Sequence, residues 1–153
     1  MIGEHSSWVY LYNIEATRRP IYTGDMKSTD PRVLAFIRLL REECRAAGIR
    51  IIFKNVRKLR DWDDRYRRTL DGYFVHPTKN QSGYIVVAAK VPTPQLLHTL
   101  AHEYVHFLQW RAKKPSFYSW GYVAHENITE KSALRLLEEH NLPINLRVRK
   151  QRS

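Results

Sequence analysis

Residues His102-Glu103-Tyr104-Val105-His106 set two imidazoles and a carboxylate within five positions of an otherwise apolar stretch. Leu96, Leu97, Leu100, Ala101, Tyr104, Val105 and Leu108 recur there at helical spacing, so one face of a helix must be covered by the rest of the chain. Thr93-Pro94 supplies a cap and a first-turn proline, which predicts a helix from that point to about Trp110. Positions four apart on a helix share a face one turn from each other. His102 and His106 can therefore reach a single Zn2+ ion while Glu103 faces a water beside it, the H-E-x-x-H pattern of metal-assisted hydrolysis.

A catalytic zinc takes three protein ligands and keeps one position for water, so a third donor is needed. His98 precedes His102 by four residues, yet a rise of about 1.5 Å per residue sets His98 and His106 about 12 Å apart along the axis. One ion cannot span that distance, and His98 is expected at the surface or behind the ligands. Further on, Trp120 to His140 carries a second helical pattern, with Tyr122, Ala133, Leu136 and Leu137 apolar and Asn141 and Pro143 ending it. Glu126 and Glu130 lie four apart on that helix and either could bind. Glu126 is favoured, because Glu130 one turn on could then accept a hydrogen bond from the far nitrogen of a zinc histidine. Were Glu130 the ligand, Leu134 would stand in that place. Glu138 and Glu139, near the helix end, are read as solvated charges.

The rest of the chain supplies a frame. Asp30-Pro31 caps a helix whose stripe is Val33, Leu34, Ile37, Leu40 and Cys44, ending near Gly48. Ile49 to Phe53 and Tyr84 to Ala89 read as strands, with a short strand at Tyr73 to Val75 after an Asp71-Gly72 turn and polar turn residues from Pro77 to Gly83. Trp8 to Ile14 suggests a further strand, and Trp62 to Arg68 a short helix within a charged loop. The expected organisation is an N-terminal extension over 1–30, an α+β domain with a small mixed sheet over 31–143, and a basic tail over 144–153.

A length of 153 residues suits one ordinary domain, and no apolar run approaches the roughly 20 residues of a membrane span. The single cysteine, Cys44, and a polar N-terminus point to a cytoplasmic setting. A net charge of +11 favours polyanionic partners. Its sources are clusters at Arg38 to Arg50, Lys54 to Arg68 and Arg147 to Arg152.

With these motifs in view, the chain resembles the compact gluzincin metallopeptidases, and among them is most similar to the ImmA/IrrE family. The resemblance lies in Leu70-Asp71-Gly72-Tyr73, Gly83-Tyr84-Ile85-Val86-Val87, the stretch Leu100 to Leu108, and Glu126 to Ala133 with Leu136-Leu137. It implies a zincin-like fold, zinc held by His102, His106 and Glu126, and proteolysis by water that Glu103 activates. It also implies a protein substrate of regulatory kind, including regulators bound to DNA.

The expected reaction is peptide hydrolysis, with Glu103 as general base and then acid. Tyr118, Tyr122 and His125 are candidates for stabilising the oxyanion, and the strand Tyr84 to Ala89 is expected to pair with an extended substrate along its edge. The alternative is a basic nucleic-acid-binding module with a structural or inactive zinc site, using Trp62, Tyr66 and Tyr73 between arginines and lysines.

Overall fold

The computed structural model describes residues 21–22, 27–28, 30–60, 69–112 and 122–143. In chain order they form β1 (Ile21–Tyr22), β2 (Lys27–Ser28), α1 (Pro31–Ala46), β3 (Ile49–Lys54), β4 (Leu59–Arg60), β5 (Thr69–Leu70), β6 (Gly72–Val75), β7 (Gly83–Ala88), α2 (Thr93–Ala112) and α3 (Tyr122–Glu139). The class is α+β. The expected strand at Trp8 to Ile14, the short helix at Trp62 to Arg68 and the basic tail lie outside the described residues, as do Tyr66 and Tyr118.

α1 begins as its sequence requires. The Asp30 carboxylate accepts the Arg32 backbone N–H at 2.8 Å, and Pro31 stands in the first turn, where a missing N–H is harmless. Beyond its last turn Gly48 has φ 76°, a conformation open to glycine at little cost. Val33, Phe36, Ile37, Leu40 and Cys44 are buried in the core, and burial pushes the Cys44 thiol up to about 12, so it is inert at neutral pH.

The main sheet has the order β3-β7-β6, with β3 and β7 parallel and β6 and β7 antiparallel. One face bears Ile49, Ile51, Phe53, Ile85 and Val87, which share a core with α1, α2 and α3. On the other, Val86 and Ala88 pack with Leu59, Leu70 and Val56, where the antiparallel pair β4-β5 contributes the cover. β7 is thus buried on both faces, which explains why its sequence is a continuous apolar run rather than an alternating one. This overturns the expectation that Tyr84 to Ala89 offers an edge to a substrate. Both sides of β7 are already paired, and the outer strands are β3 and β6.

β6 lies along α2. Phe74 packs between Phe107 and Trp110 at 6.2 Å from each ring, and His76 stacks on Trp110 at 6.3 Å. Gly72, expected in a turn, is instead the first residue of this strand. A Cβ there would stand 2.7 Å from Thr99 Cγ2, 2.9 Å from the Val86 carbonyl oxygen and 3.4 Å from Glu103 Cγ, so the absent side chain sets how closely strand and helix approach. None of the described helices is long and apolar enough to cross a membrane.

Gly72→Ala should lower stability by about 1–3 kcal/mol in urea unfolding, because neither a backbone carbonyl nor a packed threonine can give way cheaply. An unchanged unfolding midpoint would show that β6 is not clamped on α2.

Candidate metal centre

α2 is helical by composition but unusual in what it buries. Leu96, Leu97, Leu100, Ala101, Tyr104, Val105 and Phe107 are core residues, and each such large side chain contributes about 1.5–3 kcal/mol on burial. That gain carries His98, Thr99, His102, Glu103 and Gln109 inside with them. Buried polar groups are costly unless hydrogen-bonded, and α3 brings most of the partners.

Glu126, on the first turns of α3, reaches both histidines of the motif. Its Oε2 lies 2.9 Å from His102 Nε2 and its Oε1 lies 3.0 Å from His106 Nε2. The outer nitrogens are held as well. His102 Nδ1 donates to Glu130 Oε1 at 3.0 Å, and His106 Nδ1 lies 3.3 Å from Gln109 Oε1. Gln109 in turn donates to Thr129 Oγ1 at 3.1 Å, inside the α2–α3 contact. The two imidazole rings stand 4.9 Å apart and nearly perpendicular, at 77°.

The donor set fits a metal ion. Ligand atoms of His102, His106 and Glu126 all lie within 4.8 Å of one another, and two nitrogens on one tetrahedral zinc stand about 3.3 Å apart, so modest side-chain rotation closes the cluster. Two imidazoles and a carboxylate are donors that zinc and its first-row neighbours accept. The sequence-predicted residues are therefore brought together, with Glu126 between the inner nitrogens and Glu130 behind His102. His98 is not at the surface. It is buried within α2 and bonds to Glu130 rather than to the cluster's centre, as its axial distance requires.

Charge follows from this geometry. His102 faces a carboxylate oxygen at each nitrogen, and an ionised carboxylate only accepts, so both nitrogens carry protons in the metal-free chain. Burial is the largest influence and opposes the imidazolium. The hydrogen bonds from Glu126 and Glu130 and the charge of Glu103 outweigh it, raising His102 to about 9. Burial alone would raise both carboxyls as well. The histidine partners reverse that, holding Glu126 well below the usual carboxylate range and Glu130 at about 2.

Glu103 is buried, 7% exposed, one position from His102 and beside Gly72. Its Cγ stands beside β6, 3.4 Å from where a Gly72 Cβ would lie. The described side chains do not include those of Tyr122 and His125, so the oxyanion candidates all fall outside them. A cavity of about 590 Å³ opens between α2 and α3 past Gln109, lined in part by Val105, Leu108, Ile128 and Leu136, and none of the three clustered residues borders it.

Gln109 and Thr129 escaped the sequence reading. Gln109 falls three residues after His106 and seven after His102, on the helix face that bears the histidines, and a polar residue at that position was the available signal. Thr129 had none, because an interior threonine on a helix is ordinary. No family model, curated protein or solved structure matches the chain.

The metal-free cluster should make stability depend on pH in a defined way. The His102 contribution is full below its unfolded value of 6.5 and is lost as pH rises through about 9. The Glu126 and Glu130 contributions are full above 4.5 and are lost as pH falls toward their lowered values. Chelator-treated protein should therefore lose stability between about pH 6.5 and 9, and His102→Gln should flatten that decline. Urea midpoints across this range would contradict the assignment if both proteins declined equally.

Proposed function

We propose that the chain is a zinc-dependent metallopeptidase of zincin-like fold, similar to the compact gluzincins. The observation that carries this reading is the single Glu126 carboxylate lying 2.9 and 3.0 Å from the inner nitrogens of two histidines one turn apart. An ordinary ion pair needs one imidazole, whereas two inner nitrogens aimed at one point, each outer nitrogen with its own partner, is what a metal site requires.

His102, His106 and Glu126 would hold the ion. When bound, zinc supplies a Lewis acid that acidifies water and polarises a scissile carbonyl. Glu103 takes the proton of the attacking water and delivers it to the leaving amine, a role suited to a buried carboxylate adjacent to the ligands. Glu130 and Gln109 keep the two rings turned inward. β6, the outer strand beside the Glu103 face of α2, replaces β7 as the strand along which an extended peptide would lie. The substrate we infer is a regulatory or DNA-associated protein, met in the cytoplasm, with the basic surface assisting recruitment.

Zinc should bind at one ion per chain, and His102→Ala or Glu126→Ala should abolish it in elemental analysis. Glu103→Gln should keep zinc and fold while losing peptide hydrolysis by at least about a hundredfold. Full activity in that variant would remove Glu103 from the mechanism.

A second reading, a basic nucleic-acid-binding module, draws on one face of the sheet. Arg50 on β3 pairs in register with Tyr84 on β7, Tyr84 meets Tyr73 edge to face at 6.2 Å, and Lys54 is exposed further along β3. Arginine beside an aromatic pair suits a single strand of nucleic acid. Under this reading, Arg50→Glu with Lys54→Glu should weaken binding to a labelled oligonucleotide and reduce its salt slope by about 2. Binding that ignores both substitutions and salt would dismiss it.

A further inference from the structure

His98 is fully buried, with 0% of its side chain exposed, and it takes no part in the metal cluster. Its Nε2 lies 2.6 Å from Glu130 Oε2, while the other oxygen of the same carboxylate lies 3.0 Å from His102 Nδ1. Glu130 is thus held at both oxygens by two histidines four residues apart on α2. Since an ionised carboxylate only accepts, His98 Nε2 carries the donated proton. His98 Nδ1 is buried with no hydrogen-bond partner. A bare lone pair there strands no buried N–H, so hydrogen bonding favours the arrangement in which Nε2 is the donor.

A leucine would fill this interior position without an unpartnered nitrogen. What histidine adds is a directed hydrogen bond to a half-buried glutamate with several rotatable bonds. Freed of that anchor, Glu130 would regain rotamer freedom and would meet His102 only part of the time. We propose that His98 is a positioning residue. Through Glu130 it fixes the ring orientation of His102 and so keeps Nε2 directed at the point where Glu126 and His106 converge. This inference rests on the metal-centre reading for its functional meaning, although the three-residue chain itself does not involve the ion.

The test uses the full chain with His98→Leu, His98→Gln and His98→Asn, each also made in a Glu130→Gln background. The glutamine amide can reach the place of Nε2, whereas the shorter asparagine amide cannot. Zinc affinity, measured by competition with a chromophoric chelator, should fall roughly 10- to 100-fold in His98→Leu and His98→Asn and stay near wild type in His98→Gln. In the Glu130→Gln background the same changes should add no further loss. In the metal-free chain, NMR of the ring nitrogens should show the His102 Nδ1–H protected from exchange in wild type and His98→Gln, and exposed in the other two. If His98→Leu fails to fold, the glutamine and asparagine variants carry the comparison alone. Equal protection and affinity in all variants would overturn the proposal, as would a loss undiminished in the Glu130→Gln background, which marks a packing role. Should wild type bind no zinc, the peptidase reading falls and the His102 signal still decides the role of His98.

Discussion

One carboxylate gripped by two imidazoles organises this molecule. The Glu126 contacts to His102 and His106 cross from α3 to α2, and around them the two helices share a polar seam of Glu130, His98, Gln109 and Thr129. A core that accepts this much polar material gives up apolar burial for it, and helices packed on leucine alone would be simpler to stabilise. The seam therefore reads as a constraint imposed by a site. Its hydrogen bonds are directional, so they fix the register of α3 on α2 in a way that Ala133 and Leu137 packing alone would leave looser.

The sheet serves the same helix from the opposite side. β7 is buried on both faces and anchors the layer, while β6 runs beside the Glu103 face of α2 with Gly72 permitting the close approach. Phe74 between Phe107 and Trp110 keeps that strand from sliding. The seam and the strand thus hold two different faces of one helix: His102 and His106 contact α3, and the Glu103 stem passes beside Gly72 of β6. The proposed hydrolysis needs Glu103 next to the ligands, and its place one position from His102 on the same helix provides that.

Much of this was legible from local chemistry. Asp30-Pro31 and Gly48 bracket α1 because caps and left-handed glycine are local effects, and the Glu126–Glu130 spacing placed both carboxylates on the face that meets the histidines. What was hidden depends on pairing between distant segments. An apolar run such as Tyr84 to Ala89 is the same whether its neighbours are one strand or two, so its central place in the sheet was unreadable, and the free edge expected of it is absent. β4 and β5, two residues each, carry no periodicity to detect. Gly72 has the composition of a turn, and only the nearness of Thr99 and the Val86 carbonyl shows it to be a close-packing glycine. His98 was excluded from the ion by helix geometry, but its burial depends on α3 crossing above it.

X-ray absorption at the zinc edge, on protein loaded with one equivalent of Zn2+, reads the proposed ligand set itself. The spectrum should show a four-coordinate ion with two imidazole nitrogens at about 2.0–2.1 Å, the remaining donors being oxygen, and loss of that environment when Glu126 is replaced. A spectrum with a sulfur donor, with a single imidazole, or unchanged on replacing Glu126 would contradict it.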